Sequence, residues 1–317
     1  VSAFVRARSA VLGFLSDDRD ATATFTALRL GTAAVILVKS LVELPFITTI
    51  YGDGGVLPWA VSDHATISIF PRLSIVAGLL GRVGASADQA LYVVFGCYLV
   101  AVVAMLVRVD LRLPAFCAWF LHLMFFAVSF KSVYGLDCFL NIALFYCLIG
   151  PNGSFGSLAA PVPAERPRRV SDALILRLLQ LNVCLVYASA AVAKGRGADW
   201  WDGESIWRAV AQPQFTGIVP MLWLHAYPMI ATVAGWATLA TEGAFPILVW
   251  FRPTRRVALI AIVAMHLSIA LILNLKLFSA IMIVLDIAAF GQPEVRLAVN
   301  RLRRFGGFRH LLRAPAG

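Results

Sequence analysis

Eight apolar runs, at about 28–50, 90–107, 113–130, 136–150, 173–193, 229–250, 257–273 and 275–290, leave this chain few ways to fold. In hydrocarbon every backbone N–H and C=O must be satisfied without water, so an open strand edge is excluded and each run is expected to be a helix. The fourth and the last are short, which predicts tilt within the bundle or a half-span. Of the 317 residues, 60% are hydrophobic and 14% charged, and the mean hydropathy is +0.83, too much apolar surface for a water-soluble domain of this size. The expected fold is an all-α, polytopic transmembrane bundle of about eight helices.

The formal charge of +10 would suit nucleic acid, but the arginines fall in short clusters between apolar runs, as cytoplasmic loops do; nucleic-acid binding is discarded. With the N-terminus in the cytoplasm, 17 lysines and arginines lie on the inner side and 7 on the outer, so both termini are expected inside. Residues 1–24 are then a cytoplasmic N-terminal segment, 25–293 the transmembrane domain and 294–317 a basic cytoplasmic tail. The first 20 residues lack an apolar core, so no cleavable signal peptide is expected. Cys97, Cys117, Cys138, Cys147 and Cys184 all sit inside apolar runs without a CxxC pair, and read as small core residues, not metal ligands.

Two outer loops are long, 51–89 and 194–228, and long loops in compact bundles tend to carry function. The first holds Tyr51-Gly-Asp-Gly-Gly-Val-Leu-Pro58, which lacks the GK[ST] ending of a phosphate loop, and an amphipathic piece at 66–80 suited to the membrane interface. Pro161 to Pro167 reads as a short inner linker. The tail from Arg301 to Arg313, with Phe305 and Phe308, reads either as a lipid-surface segment or as a frayed basic end.

Polar residues inside the runs are few. Lys39 and Glu43 are four apart and can pair on one helix face. His122, Asp137, Asn141, Glu242, His266 and Asp286 are scattered over separate runs; singly each reads as packing glue, together as a polar interior facing a cavity. In the fifth run Gln180, Tyr187 and Lys194 recur every seven residues on one face, with Ala188, Ser189, Ala190, Ala191 and Ala193 leaving room beside it. That stripe ends in Lys194-Gly-Arg-Gly-Ala-Asp199-Trp200-Trp201-Asp202-Gly203-Glu204. A lysine there is either snorkelling beside an aromatic belt or, desolvated, a base. Asp199, Asp202 and Glu204 beside Arg196 and Arg208 read as a solvated, salt-bridged loop.

The order Gln180, Tyr187, Val192, Lys194, Trp200, Asp202-Gly203 resembles the HTTM domain, the membrane domain shared with vitamin K-dependent gamma-carboxylase. Arg29-Leu-Gly, the Tyr51 motif, Gly135-Leu-Asp137, Glu242 and His266 follow in the expected order, from about residue 25 to 293. The resemblance implies that Lys194 is a base for a reduced, vitamin K-like quinone. Reaction with oxygen would give an epoxide and a strong base, and carbon dioxide would be captured on a substrate carbon. It also implies an outer-side site in a bacterial-type cytoplasmic membrane. Three departures qualify it: Ala193-Lys194 stands where the carboxylase has two lysines, the spacing to the tryptophan is one residue longer, and Asp137 stands where the carboxylase has a histidine. The large lumenal domain is expected to be absent, so a protein substrate would need a partner.

The expected site therefore has Lys194, Asp137 and His266 as catalytic groups, with Tyr187, Gln180, Asn141, His122, Trp200, Trp201, Asp202 and Glu242 around a lipid-soluble substrate drawn from membrane lipid. No metal is expected. Two other readings stay open: an isoprenoid (terpene) cyclase with Asp137 or Glu242 as proton donor, and a non-catalytic maturation or export partner of a secreted peptide, since HTTM proteins are similar to such factors.

Overall fold

The computed structural model describes residues 21–67, 69–107, 112–130, 134–151 and 169–304, with residues 13, 17, 153 and 158. The linker Pro161 to Pro167, the tail residues Phe305 and Phe308, and most of the expected N-terminal segment lie outside the described residues. Among those described there are helices and turns and no strand. All eight apolar runs are helical. In chain order the helices are α1 (Ala21–Glu43), α2 (Ile47–Tyr51), α3 (Trp59–Ala65), α4 (Leu73–Gly81), α5 (Ala87–Val107), α6 (Arg112–Val128), α7 (Gly135–Ile149), α8 (Val170–Gly195), α9 (Glu204–Ala211), α10 (Pro228–Leu248), α11 (Arg252–Ile272), α12 (Lys276–Phe290) and α13 (Gln292–Arg304).

Of the expected eight spans, four or five stand out by length and composition among the described residues: 21–51, 87–107, 170–195 and 252–272, with a fifth at 276–301 if the α12–α13 pair, bent by 99°, is one span. Helices α6 and α7 are apolar but short. Helix α10 has the length, but Thr232, Thr238, Thr241 and Glu242 dilute its hydropathy. Length sets α6 and α7 apart, and polar residues that a bundle interior can hold set α10 apart. Helix α1 starts before its apolar run because Ala-Thr-Ala-Thr supports a helix without giving an apolar signal. Pro45 breaks it into a 3-10 turn at Leu44–Phe46, after which α2 continues. The expected amphipathic piece at 66–80 is helical only from Leu73, in α4, after a non-helical stretch that contains Pro71.

The chain forms two compact units, residues 25–155 and residues 1–24 with 156–317. In the first, α6 packs on both α5 and α7. The Phe125 ring is its aromatic centre, edge-on to Tyr51 at 5.0 Å and to Phe95 at 5.9 Å. In the second, α8 packs on α10, α10 on α11, α11 on α12 and α12 on α8, a closed ring of four helices. Tyr187, Phe245, Phe290 and Trp250 fill its middle with edge-on pairs at 4.9, 6.0 and 5.3 Å. The tight turn from α11 to α12 is made by Asn274, whose φ of 57° is the left-handed conformation that asparagine tolerates.

Candidate functional site

The heptad stripe of α8 faces the four-helix ring. Gln180 and Tyr187 are buried. Gln180 donates to the Ala289 carbonyl at 2.7 Å and accepts from Arg177 at 2.6 Å, so it ties α8 to the end of α12. The small residues of the stripe serve close approach as well as space: a Cβ at Gly243 of α10 would lie 3.8 Å from that of Ala191.

At the C-terminal end of α8, Lys194 Nζ is gripped by both carboxylate oxygens of Glu242, with Oε2 at 2.6 Å. The same ammonium lies 5.2 Å from the centre of the Trp200 ring, a cation–π contact. The side chain of Glu242 is 6% exposed and that of Lys194 26%, so the lysine is the more accessible member of the pair. Pro246 removes the N–H that would have met the Glu242 carbonyl, so α10 carries its acid at a weakened turn.

The loop that positions Trp200 is fixed to the helices on either side. Trp201 Nε1 donates to the Gly195 carbonyl at 2.8 Å, and Trp236 Nε1 of α10 donates to the Trp201 carbonyl at 2.9 Å. A Cβ at Gly235 would stand 2.6 Å from the Trp200 carbonyl, so only glycine lets the loop lie against α10 there. Asp202 Oδ1 accepts from the Glu204 amide at 2.9 Å, and the Asp202 carbonyl accepts from Thr232 Oγ1 at 2.7 Å. Asp202 therefore shapes the turn, and also lines a cavity of about 190 Å³ with Trp207 and His225, to which Lys194 and Glu242 contribute nothing. Asp199 and Glu204 both pair with the exposed Arg208, at 2.7 and 3.0 Å, as a solvated loop should.

Within the same unit the Tyr187 hydroxyl lies 2.8 Å from His266 Nε2 and 2.8 Å from Asp286 Oδ2. The residue missed in assembling the site from sequence is Asp286, which stood out only as one isolated polar residue in the last run. Nothing in spacing along the chain links it to a tyrosine 99 positions earlier.

The other expected residues belong to the first unit. Lys39 Nζ lies 2.7 Å from Glu43 Oε2, 2.9 Å from the Tyr51 hydroxyl and 3.4 Å from Asp137 Oδ1. The expected Lys39–Glu43 pair is present, and Asp137 at the start of α7 joins it. His122 sits between the Tyr98 hydroxyl at 3.1 Å and the Asp137 carbonyl at 3.2 Å. Asn141 follows one turn later with its Oδ1 buried and unpartnered among the described residues. The glycine-rich Tyr51 motif serves this cluster: the Tyr51 carbonyl accepts from Trp59 Nε1 at 2.8 Å, and Asp53 accepts from the Trp59 amide at 2.9 Å. Among the described residues no group of three or more histidine, cysteine or acidic side chains could hold a metal.

The family model described as HTTM domain matches residues 78–294. The known context of that domain is its similarity to vitamin K-dependent carboxylase. No curated protein and no solved structure matches the chain.

Proposed function

The chain belongs to the HTTM domain family, and from that premise we propose that it is an integral membrane enzyme whose base is Lys194 acting together with Glu242 on a lipid-borne hydroxyl acid, a reduced quinone by resemblance. The observation that carries this reading is the bidentate Lys194–Glu242 pair at the mouth of the helix ring, with the lysine its more accessible member.

A lysine bound to a carboxylate is not a free amine, so the pair must be treated as one base. If the pair's proton rests on Glu242, the neutral Lys194 takes the proton of the substrate hydroxyl. If it rests on Lys194, the ammonium passes one proton to the Glu242 carboxylate and takes the substrate's in its place. Both orders end in one state: a protonated Glu242 and an ammonium beside the substrate anion. The apolar surroundings strengthen the attraction between that ammonium and the anion, which favours the transfer. A bound hydroquinone would supply the reaction with oxygen and, through it, the base for carboxylation. Trp200 would close the mouth, and Tyr187 and His266 would line the ring below.

Replacing Lys194 by Ala is expected to abolish turnover of a reduced naphthoquinone to its epoxide, read by mass spectrometry of extracted lipids, while the protein stays folded in the membrane. Full activity in Lys194→Ala would falsify the proposal. Label from bicarbonate in a second product would identify the carbon acid.

A further inference from the structure

The Tyr187 hydroxyl is the middle of a three-group hydrogen-bond chain with two open ends. Its partners are His266 Nε2 and Asp286 Oδ2, each at 2.8 Å. Tyr187 and His266 are 2% exposed and Asp286 0%, and His266 Nδ1 and Asp286 Oδ1 are buried with no partner among the described residues. A phenol has one proton and cannot donate to both neighbours. With Asp286 a carboxylate, His266 Nε2–H donates to the Tyr187 oxygen and Tyr187 O–H donates to Asp286. With Asp286 an acid, each bond reverses: Asp286 donates to Tyr187, Tyr187 donates to His266 Nε2, and the imidazole proton sits on Nδ1. The same heavy-atom positions serve both arrangements, which differ by one proton.

We propose that His266, Tyr187 and Asp286 form an internal proton acceptor that takes a proton at His266 Nδ1 and holds it on Asp286. As the Nδ1–H bond forms, the Nε2–H bond breaks and its proton passes to the Tyr187 oxygen. The original Tyr187 O–H bond breaks in turn, and its proton passes to Asp286 Oδ2. The cluster goes from one negative charge to none, the cheaper state for an apolar interior. Apolar side chains of similar size would fill the same space, so packing alone does not account for three polar side chains joined in series with unsatisfied ends.

The other charged groups on the surrounding helices are Asp172, Arg177 and Lys194 of α8, Glu242 of α10, Arg252, Arg255 and Arg256 at the start of α11, and Lys276 at the start of α12; the Cys184 thiol of α8 is a further titratable group near Asp286. Only the Lys194–Glu242 pair lies on the seam where Tyr187 also packs, since Phe245, one turn beyond Glu242, meets the Tyr187 ring at 4.9 Å. Given the reaction proposed above, the acceptor receives the proton that the pair gathers from substrate, and so resets the pair.

The test is infrared difference spectroscopy of the full chain in lipid nanodiscs across a pH titration. A buried carboxylic-acid carbonyl band is expected, lost in Asp286→Asn and shifted in both Tyr187→Phe and His266→Gln. It should persist in Lys194→Ala, which separates the acceptor from the base. The idea is overturned if Asp286→Asn removes no titrating band, or if the band is unmoved by changes at Tyr187 and His266, since Asp286 would then be an isolated acid. Helix content by circular dichroism shows that each variant is folded. Absence of quinol turnover in wild type would count against the reaction and leave this titration standing.

Discussion

At the scale of single residues, Glu242 is the decisive position after Lys194. If the two act as one base, Glu242→Gln removes the proton's destination while keeping the shape of the contact, and turnover should fall by about 10²-fold or more. A lysine acting alone would be freed by the same change, so equal or higher activity in Glu242→Gln would assign the base to Lys194 without its partner. Trp200→Leu takes away a cation–π contact of about 0.5–2 kcal/mol and should raise KM more than it lowers kcat, measured on the same quinol. Lys39 offers a contrast in the other unit. It is 7% exposed and serves Glu43, Tyr51 and Asp137 at once. Lys39→Met strands two carboxylates, and breaking such a pair costs about 3–5 kcal/mol, visible as a lowered thermal midpoint in detergent. Stability equal to wild type would show that water already satisfies those acids.

At the scale of elements, the turn that carries Trp200 depends on backbone that only glycine accepts. Gly203 has φ of +87°, and a Cβ there would lie 2.4 Å from the Thr232 amide nitrogen of α10. Gly203→Ala should therefore cost about 1–3 kcal/mol and loosen the loop, measured as faster proteolysis between α8 and α9. Which parts of this arrangement could be read in advance follows from range along the chain. The Gln180–Tyr187–Lys194 stripe and the Lys39–Glu43 pair lie within one helix each, where periodicity fixes the shared face. Lys194 meets Glu242 across 48 residues and Tyr187 meets Asp286 across 99, and no spacing rule reaches between helices. Asp202 was legible as a polar residue of a rich loop, but its work in the turn depends on Thr232 of a later helix.

At the scale of the whole molecule, all eight apolar runs became helices, and among the described residues four or five qualify as spans by length and composition. Hydropathy reports how a segment would partition alone, and α10 carries threonines and Glu242 that its neighbours, not lipid, accommodate. The arginine bias predicts that the loop after α8 faces outward. A single cysteine at the exposed Ala198, with native cysteines replaced, should react with a membrane-impermeant maleimide on intact cells. Labelling only after lysis would reverse the assignment.

The grip of Glu242 on Lys194 also strings the last turn of α8 to the middle of the ring. With the pair's proton on Lys194 that string is tight, since charge-assisted bonds are roughly twice as strong as neutral ones. In the proposed reaction, once Glu242 held the substrate's proton and Lys194 turned to the new anion, the string would go slack. Such a site would be fastened while it waits and unfastened by its own turnover, so that product departure would need no separate trigger.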